Sequence, residues 1–288
     1  YGTAADIDSA RAWLRLAAAA LIGTIGNVGM WSVVVVLPAV QAEFGIDRGA
    51  ASLPYTLTLL GFGFGGVVAG RIADRHGVMF PIIGGAIFLG LGYTATGYAQ
   101  NLWQFAIAHG LLIGFLGTST MFAPLLADIT HWFNRRRGIA LAICASGNYL
   151  SGTIWPPILQ ASIDAYGWRF THLALGIFCT VTLMLLAPLL RRRPPHDAPV
   201  SAGAMVRGPS PALLRLSPFT LQALLIIAGL ACCVAMSMPQ VPIVAYCADL
   251  GFGAQRGAEM LSLMLGFGIV SRLISGFISD KIGGLYTL

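Results

Sequence analysis

Charge is scarce in this sequence. Only 10% of its 288 residues are Asp, Glu, Lys or Arg, where a soluble globular protein carries roughly 25%. Hydrophobic residues make up 57% and the mean hydropathy is +0.78. So few charges cannot coat a water-soluble surface, so the chain is expected in a membrane. Cysteine chemistry is thin as well. The five cysteines, Cys144, Cys179, Cys232, Cys233 and Cys247, all fall in apolar runs, without metal-ligand spacing. They read as small packing residues, and neighbours such as Cys232 and Cys233 point away from each other on one helix, against a disulfide.

What is present is long apolar runs. Eight come near or above the roughly 20 residues needed to cross a bilayer: about 14–40, 52–72, 79–98, 103–127, 138–163, 170–190, 217–247 and 257–279. Only a helix or a closed barrel satisfies its own backbone in lipid, and runs of this length are helical, so the fold class is an all-α membrane protein. The first run is too long for a signal-peptide h-region, so no cleavable signal peptide is expected. The chain opens on Tyr1 and closes on Leu288, shortly after the eighth run, which reads as a piece of a longer protein.

Basic residues sit at one end of the spans. The connectors after spans two, four and six read RIADRH, HWFNRRRG and RRRPPHDAP, whereas those after the odd spans hold Arg48, Arg169 and Arg256, offset by Glu43, Asp47, Asp164, Asp249 and Glu259. The even loops and the N-terminus are therefore expected in the cytoplasm, in a multi-pass protein of the cell membrane. The net charge of +6 then reflects loops facing anionic lipid, and no nucleic-acid partner is implied.

A polar connector rich in Pro, Arg, Ser and Gly, residues 191–216, divides six spans (residues 1–190) from two more (217–288). The two sides repeat each other: GRIADRHG at 70–77 and GFISDKIG at 276–283 share Gly, three residues, Asp, a base, one residue, Gly, at an offset of 206. Halves of equal orientation joined by a cytoplasmic loop are a transporter architecture.

The loop signature, its echo after span eight, and a six-helix half followed by a basic loop resemble the major facilitator superfamily of secondary transporters. WFNRRRGIALAICASGNYLSG (132–152), WPPILQASIDAYGWR (155–169) and SRLISGFISDKIG are similar to its monocarboxylate and oxalate:formate porter branch. The resemblance implies two six-helix halves, of which this chain spans the first eight helices, alternating access, a small organic anion as cargo, and the span-eight arginine as its anchor. It also implies an acid four residues before that arginine, where this chain has Gly268, a tyrosine in span four, where it has Phe122, and a second base after Gly77, where it has Val78.

The residues themselves point the same way. Arg272 precedes Asp280 by eight residues, about 12 Å of helix, which sets it near the middle of a hydrocarbon core about 30 Å thick. An unpaired charge there must face water or a partner. With no acid expected inside the spans, the guanidinium is a vacant anion site, and its fork suits a carboxylate. Arg272, Gly276 and Asp280 share one helical stripe. Asn27 and Asn148 place amides at similar depth, and Trp31 follows Asn27 by four; these, with Phe122, complete the substrate-site candidates. His109, six residues after Trp103, is the candidate proton carrier, the only histidine expected at depth; protons as co-cargo and obligatory anion exchange both stay open. Asp74, Arg75, Arg135, Arg136, Arg137, Asp280 and Lys281 are gating candidates, with loop ion pairs expected to hold the cytoplasmic side closed. A membrane enzyme would need nucleophile, base or metal ligands gathered at one depth; two amides, one arginine and scattered histidines do not supply them, so neither catalysis nor a metal or cofactor is expected. A carrier of another solute, a receptor and a channel remain the alternatives, the last two leaving the repeated loop signature without a reason.

Overall fold

The structure, a computed structural model, describes residues 7–192 and 217–282. Most of the 191–216 linker and Gly283 of the second loop signature lie outside the described residues. Every regular element among those described is helical.

The first span is two helices, α1 (Ala10–Gly26) and α2 (Val28–Phe44), broken at Asn27. The short α3 (Arg48–Ala51) leads into span two, α4 (Leu53–His76), and α5 (Met79–Gly97) is span three. Span four is irregular. It runs from α6 (Leu102–Ile107) through a π-helical stretch (Ala108–Gly117) and a 3-10 turn (Thr118–Met121) to α7 (Ala123–Thr130). Its 3-10 turn packs where α1 breaks, with Met121 filling the space beside Gly26 and Thr118 the space beside Gly29. Spans five and six are α8 (Arg137–Tyr166) and α9 (Trp168–Leu186), the latter extended by a 3-10 turn to Leu190. Span seven is α10 (Pro218–Gln240) with α11 (Ile243–Asp249), and span eight is α12 (Ala254–Ile282).

The helices overrun the expected apolar limits by a few residues at most ends, because their caps are polar. Ser9 Oγ accepts from the Ala12 amide at the start of α1, and Ser217 Oγ from the Thr220 amide at the start of α10, each satisfying a donor the helix leaves orphaned. Seven of the described spans are long and apolar enough to cross a membrane. The eighth long helix, α8, has 30 residues and carries Ser146, Asn148, Ser151 and Gln160. It can afford them because it lies inside the bundle, packed by α1, α2, α9 and α12.

Spans one, three, four and six share a core of Leu16, Ile22, Ile82, Leu89, Ile113, Leu125, Ile129 and Leu183, all almost fully buried, which span five joins through Ala140, Cys144 and Leu159. Span eight joins it along α8, with α11 also resting on α2. The α8/α12 pair is antiparallel and close. At the basic end, a Cβ on Gly276 would stand 2.5 Å from the Ala142 methyl and 3.1 Å from the Gly138 carbonyl, so this approach requires glycine. At the other end Ser262 donates to the Thr153 carbonyl, and Leu265 lies over Gly152. The seam between these two helices carries Asn148, Arg272 and Asp280, three of the residues the sequence singles out.

Candidate functional site

Arg272 lies midway along that seam, partly buried, with its guanidinium carbon 4.4 Å from the centre of the Tyr149 ring on α8. Among the described residues no carboxylate comes within ion-pairing distance of it. The ring itself is seated against Gly268, one turn earlier on α12: a Cβ there would lie 2.6 Å and 2.7 Å from two ring carbons. Where the resemblance implies an acid, this protein has an aromatic ring and no side chain to displace it. Tyr149 escaped the sequence reading although it follows Asn148 directly, because nothing in α8 alone shows which of its residues meets Arg272.

Asn148 and Trp31 belong to the same neighbourhood. The Trp31 indole N–H donates to the Asn148 backbone carbonyl at 3.1 Å, joining α2 to α8, while the Asn148 side-chain oxygen is buried with no partner. Asn27 stands one turn from Trp31 but folds back on its own helix: Nδ2 donates to the Gly23 carbonyl at 2.7 Å, and Oδ1 is left buried without a donor. An unsatisfied amide oxygen in an apolar interior is a costly group. Phe122 stands apart, paired with Phe62 of α4 at 5.8 Å between ring centres.

His109 packs against Thr58, Tyr93, Phe105 and His172 rather than on Arg272 or Tyr149. It is fully buried in the first six-helix half, towards the end opposite the basic loops, and its Nδ1 meets Thr58 Oγ1 at 3.0 Å. The Thr58 hydroxyl proton is already given to the Pro54 carbonyl at 2.7 Å, so Nδ1 donates to that hydroxyl oxygen. Among the described residues Nε2 is buried with no partner. The sequence expectation that His109 is the only histidine at depth is corrected by His172 of α9, 1% exposed, with the same arrangement. Thr96 donates to the Tyr93 carbonyl and accepts from His172 Nδ1 at 2.9 Å, leaving His172 Nε2 orphaned. The two rings lie 6.3 Å apart, with Phe105, Trp168 and Tyr93 around them and Tyr93 Oη bonded to Ser32 at 2.9 Å. Two imidazoles held by hydroxyls tie helices together. Residue 172 lies barely inside its apolar run, which hid it.

Three further charged pairs were missed. Arg15 and Asp128 form a bidentate bridge at 2.7 Å and 2.9 Å, both side chains 5% exposed. The Leu190 carbonyl accepts a third bond from Arg15, and the Trp132 ring lies 4.6 Å from its guanidinium. The expectation of no acid inside the spans is corrected here, and again by Glu259, which lies on α12 and pairs with Arg256 at 3.0 Å. At the end opposite the basic loops, Arg169 binds Glu43 at 2.6 Å and the carbonyls of Gly97 and Ala99, clasping α2, α5 and α9.

Of the gating candidates, Asp280 has a clear partner, and it is backbone. Its two oxygens accept from the Gly138 and Ile139 amides at 2.6 Å and 2.9 Å, capping α8. Lys281 lies over the Phe277 ring at 4.5 Å. The expected pairing of Asp74 with the loop arginines Arg75, Arg135, Arg136 and Arg137 is not formed among the described residues; these side chains are exposed, and the Arg135 amide instead donates to Asp8 at 3.0 Å.

With this geometry in view, comparison with known proteins is informative. Monocarboxylate transporter 11 of Homo sapiens is 29% identical over 281 residues, covering 95% of this chain and 57% of that protein. Monocarboxylate transporter 4 of Rattus norvegicus is 29% identical over 245 residues, covering 82% and 50%, and the MFS-type transporter pynF of Aspergillus niger is 27% identical over 224 residues, covering 76% and 49%. The chain thus spans about half the length of these curated relatives. The solved proton:xylose symporter XylE aligns with a TM-score of 0.49 at 14% identity, over 94% of this chain and 55% of that one. A profile of the Major Facilitator Superfamily matches residues 19–288, and the chain belongs to that family of multi-pass membrane transporters.

Proposed function

We propose that the full-length protein is a secondary carrier for a small organic anion, a monocarboxylate, which it exposes alternately to the two sides of the membrane with Arg272 as the anchor of the carboxylate. The observation that carries this reading is a midspan guanidinium held by an aromatic face, with no carboxylate beside it among the described residues. Among the described residues none takes its N–H donors, and an incoming carboxylate satisfies two of them in parallel. The names of the relatives support the cargo class: two are monocarboxylate transporters. Asn148 and Trp31 border the anchor and Asn27 lies one turn beyond; Phe122 belongs to the wall of the same half.

The gate of this carrier is the α8/α12 seam at its basic end, where Asp280 caps α8. Asp74 holds the matching place in the first copy of the loop signature, with Arg75, Arg135, Arg136, Arg137 and Lys281 as charged neighbours on the same face. That face is cytoplasmic, with the N-terminus, in a protein of the cell membrane.

Uptake of radiolabelled pyruvate into liposomes carrying the full-length protein tests the function. Saturable uptake lost in Arg272→Ala supports it; undiminished uptake by that variant overturns the anchor, and no uptake of pyruvate or any other monocarboxylate overturns the cargo class. Acceleration by an inward proton gradient identifies symport, and dependence on internal anion identifies exchange. His109, fully buried and bonded to Thr58, is assigned a packing role in place of the expected proton carriage, and pH-driven uptake lost in His109→Gln would overturn that assignment.

A further inference from the structure

The aromatic ring beneath Arg272 has its own consequence. A guanidinium can be approached along its N–H edge or over its face, and these serve different chemistry: the edge donates hydrogen bonds in a plane, whereas the face takes a π-system. Here the guanidinium carbon stands over the Tyr149 ring, 4.4 Å from its centre. The ring cannot drift, because it is held from three directions. Its edge is pressed against Gly268 of α12, at a distance only glycine tolerates. Its hydroxyl reaches the Met236 sulfur of α10 at 3.8 Å. Its backbone neighbour Asn148 is tied to Trp31 of α2.

We propose that Tyr149, seated by Gly268, is a positioning and specificity residue of this carrier: it fixes the plane of the Arg272 guanidinium and so selects planar carboxylates over tetrahedral anions of the same charge. A carboxylate lies flat in the guanidinium plane and leaves the tyrosine face untouched. A sulfonate or phosphonate also offers two oxygens to the fork, but its third oxygen leaves that plane, and on the Tyr149 side it meets the negative face of the ring. The inference rests on Arg272 being the carboxylate anchor, and it adds two residues outside the candidates drawn from the sequence.

The test uses full-length protein in liposomes, with radiolabelled pyruvate as the probe and methanesulfonate as competitor. Tyr149→Leu removes the ring, and Gly268→Ala leaves the ring but pushes it off its seat. Each is expected to raise KM for pyruvate about tenfold, equal to about 1.4 kcal/mol, with kcat changed far less, and to narrow the preference for pyruvate over methanesulfonate. Tyr149→Phe keeps the face and restores both. Because the two changes act through one ring, Gly268→Ala with Tyr149→Leu should be no worse than Tyr149→Leu alone. Wild-type KM and selectivity in Tyr149→Leu, alongside an inactive Arg272→Ala, would overturn this inference while leaving the anchor intact; activity in Arg272→Ala would instead remove the anchor. Should Tyr149→Leu fail to fold, Gly268→Ala decides by itself: unchanged selectivity with the ring displaced refutes the proposal.

Discussion

Arg15 and Arg272 are both arginines within spans, each stacked on an aromatic ring at 4.6 Å and 4.4 Å, yet they are held quite differently. Arg15 has a carboxylate on both prongs of its fork and a carbonyl on a third bond. Arg272 has the ring and, among the described residues, no acid. The difference separates architecture from function. A buried charge whose donors are consumed by the fold has nothing left to offer a ligand, and removing its partner damages the protein itself. A charge supported only by a π-face stays in place with its hydrogen-bonding edge unspent. Seated between the two sets of spans, it is the group proposed to take the cargo.

The contrast is easiest to break from the Arg15 side. Asp128→Ala leaves a guanidinium buried without its carboxylate, a loss of about 3–5 kcal/mol, and the melting temperature in detergent should fall steeply. Replacing both partners by apolar residues, as in Arg15→Met with Asp128→Leu, should recover most of it; a single variant as stable as wild type would show that Arg15 is not structural. Arg272→Lys probes the other side. The charge remains and the fork goes, so KM for pyruvate should rise about tenfold, roughly 1.4 kcal/mol, with the melting temperature unmoved.

A smaller effect is expected at the gate. Asp280→Ala removes an N-terminal cap, about 1 kcal/mol, and biases the seam towards opening at its basic end. Labelling of an Ala142→Cys carrier by a charged maleimide from that side should rise about fivefold; unchanged labelling would mean the seam does not open there. The smallest effect belongs to His109→Gln. Interhelical hydrogen bonds in a bilayer average about 0.6 kcal/mol, so stability should dip slightly while uptake and its pH profile superimpose on wild type. A flattened pH profile would return His109 to the transport pathway.

The sequence disclosed what repeats along a single helix and hid what depends on pairing between helices. The stripe of Arg272, Gly276 and Asp280 follows from helical spacing, and all three residues do face α8. Seven of the eight spans follow from apolar length. Tyr149, in contrast, becomes meaningful only through the register of α8 against α12, which Gly138, Ala142, Gly268 and Gly276 set by permitting close approach. Arg15 finds Asp128 across 113 positions, and His109 meets His172 from another span. No local pattern reports such distances. Asp280 shows a subtler gap: a loop carboxylate among arginines reads as an ion pair, yet the helix start beside it offers two unsatisfied amides at shorter range.

The central claim is that Arg272 is held open for an anion while Arg15 is not, and equilibrium binding tests it most directly. Labelled pyruvate would be titrated onto purified full-length protein in three forms: wild type, Arg272→Ala, and the apolar replacement of Arg15 with Asp128. Saturable binding lost in Arg272→Ala, at unchanged melting temperature, and kept with wild-type Kd in the Arg15/Asp128 variant is the predicted result. Wild-type affinity in a folded Arg272→Ala protein would contradict the account.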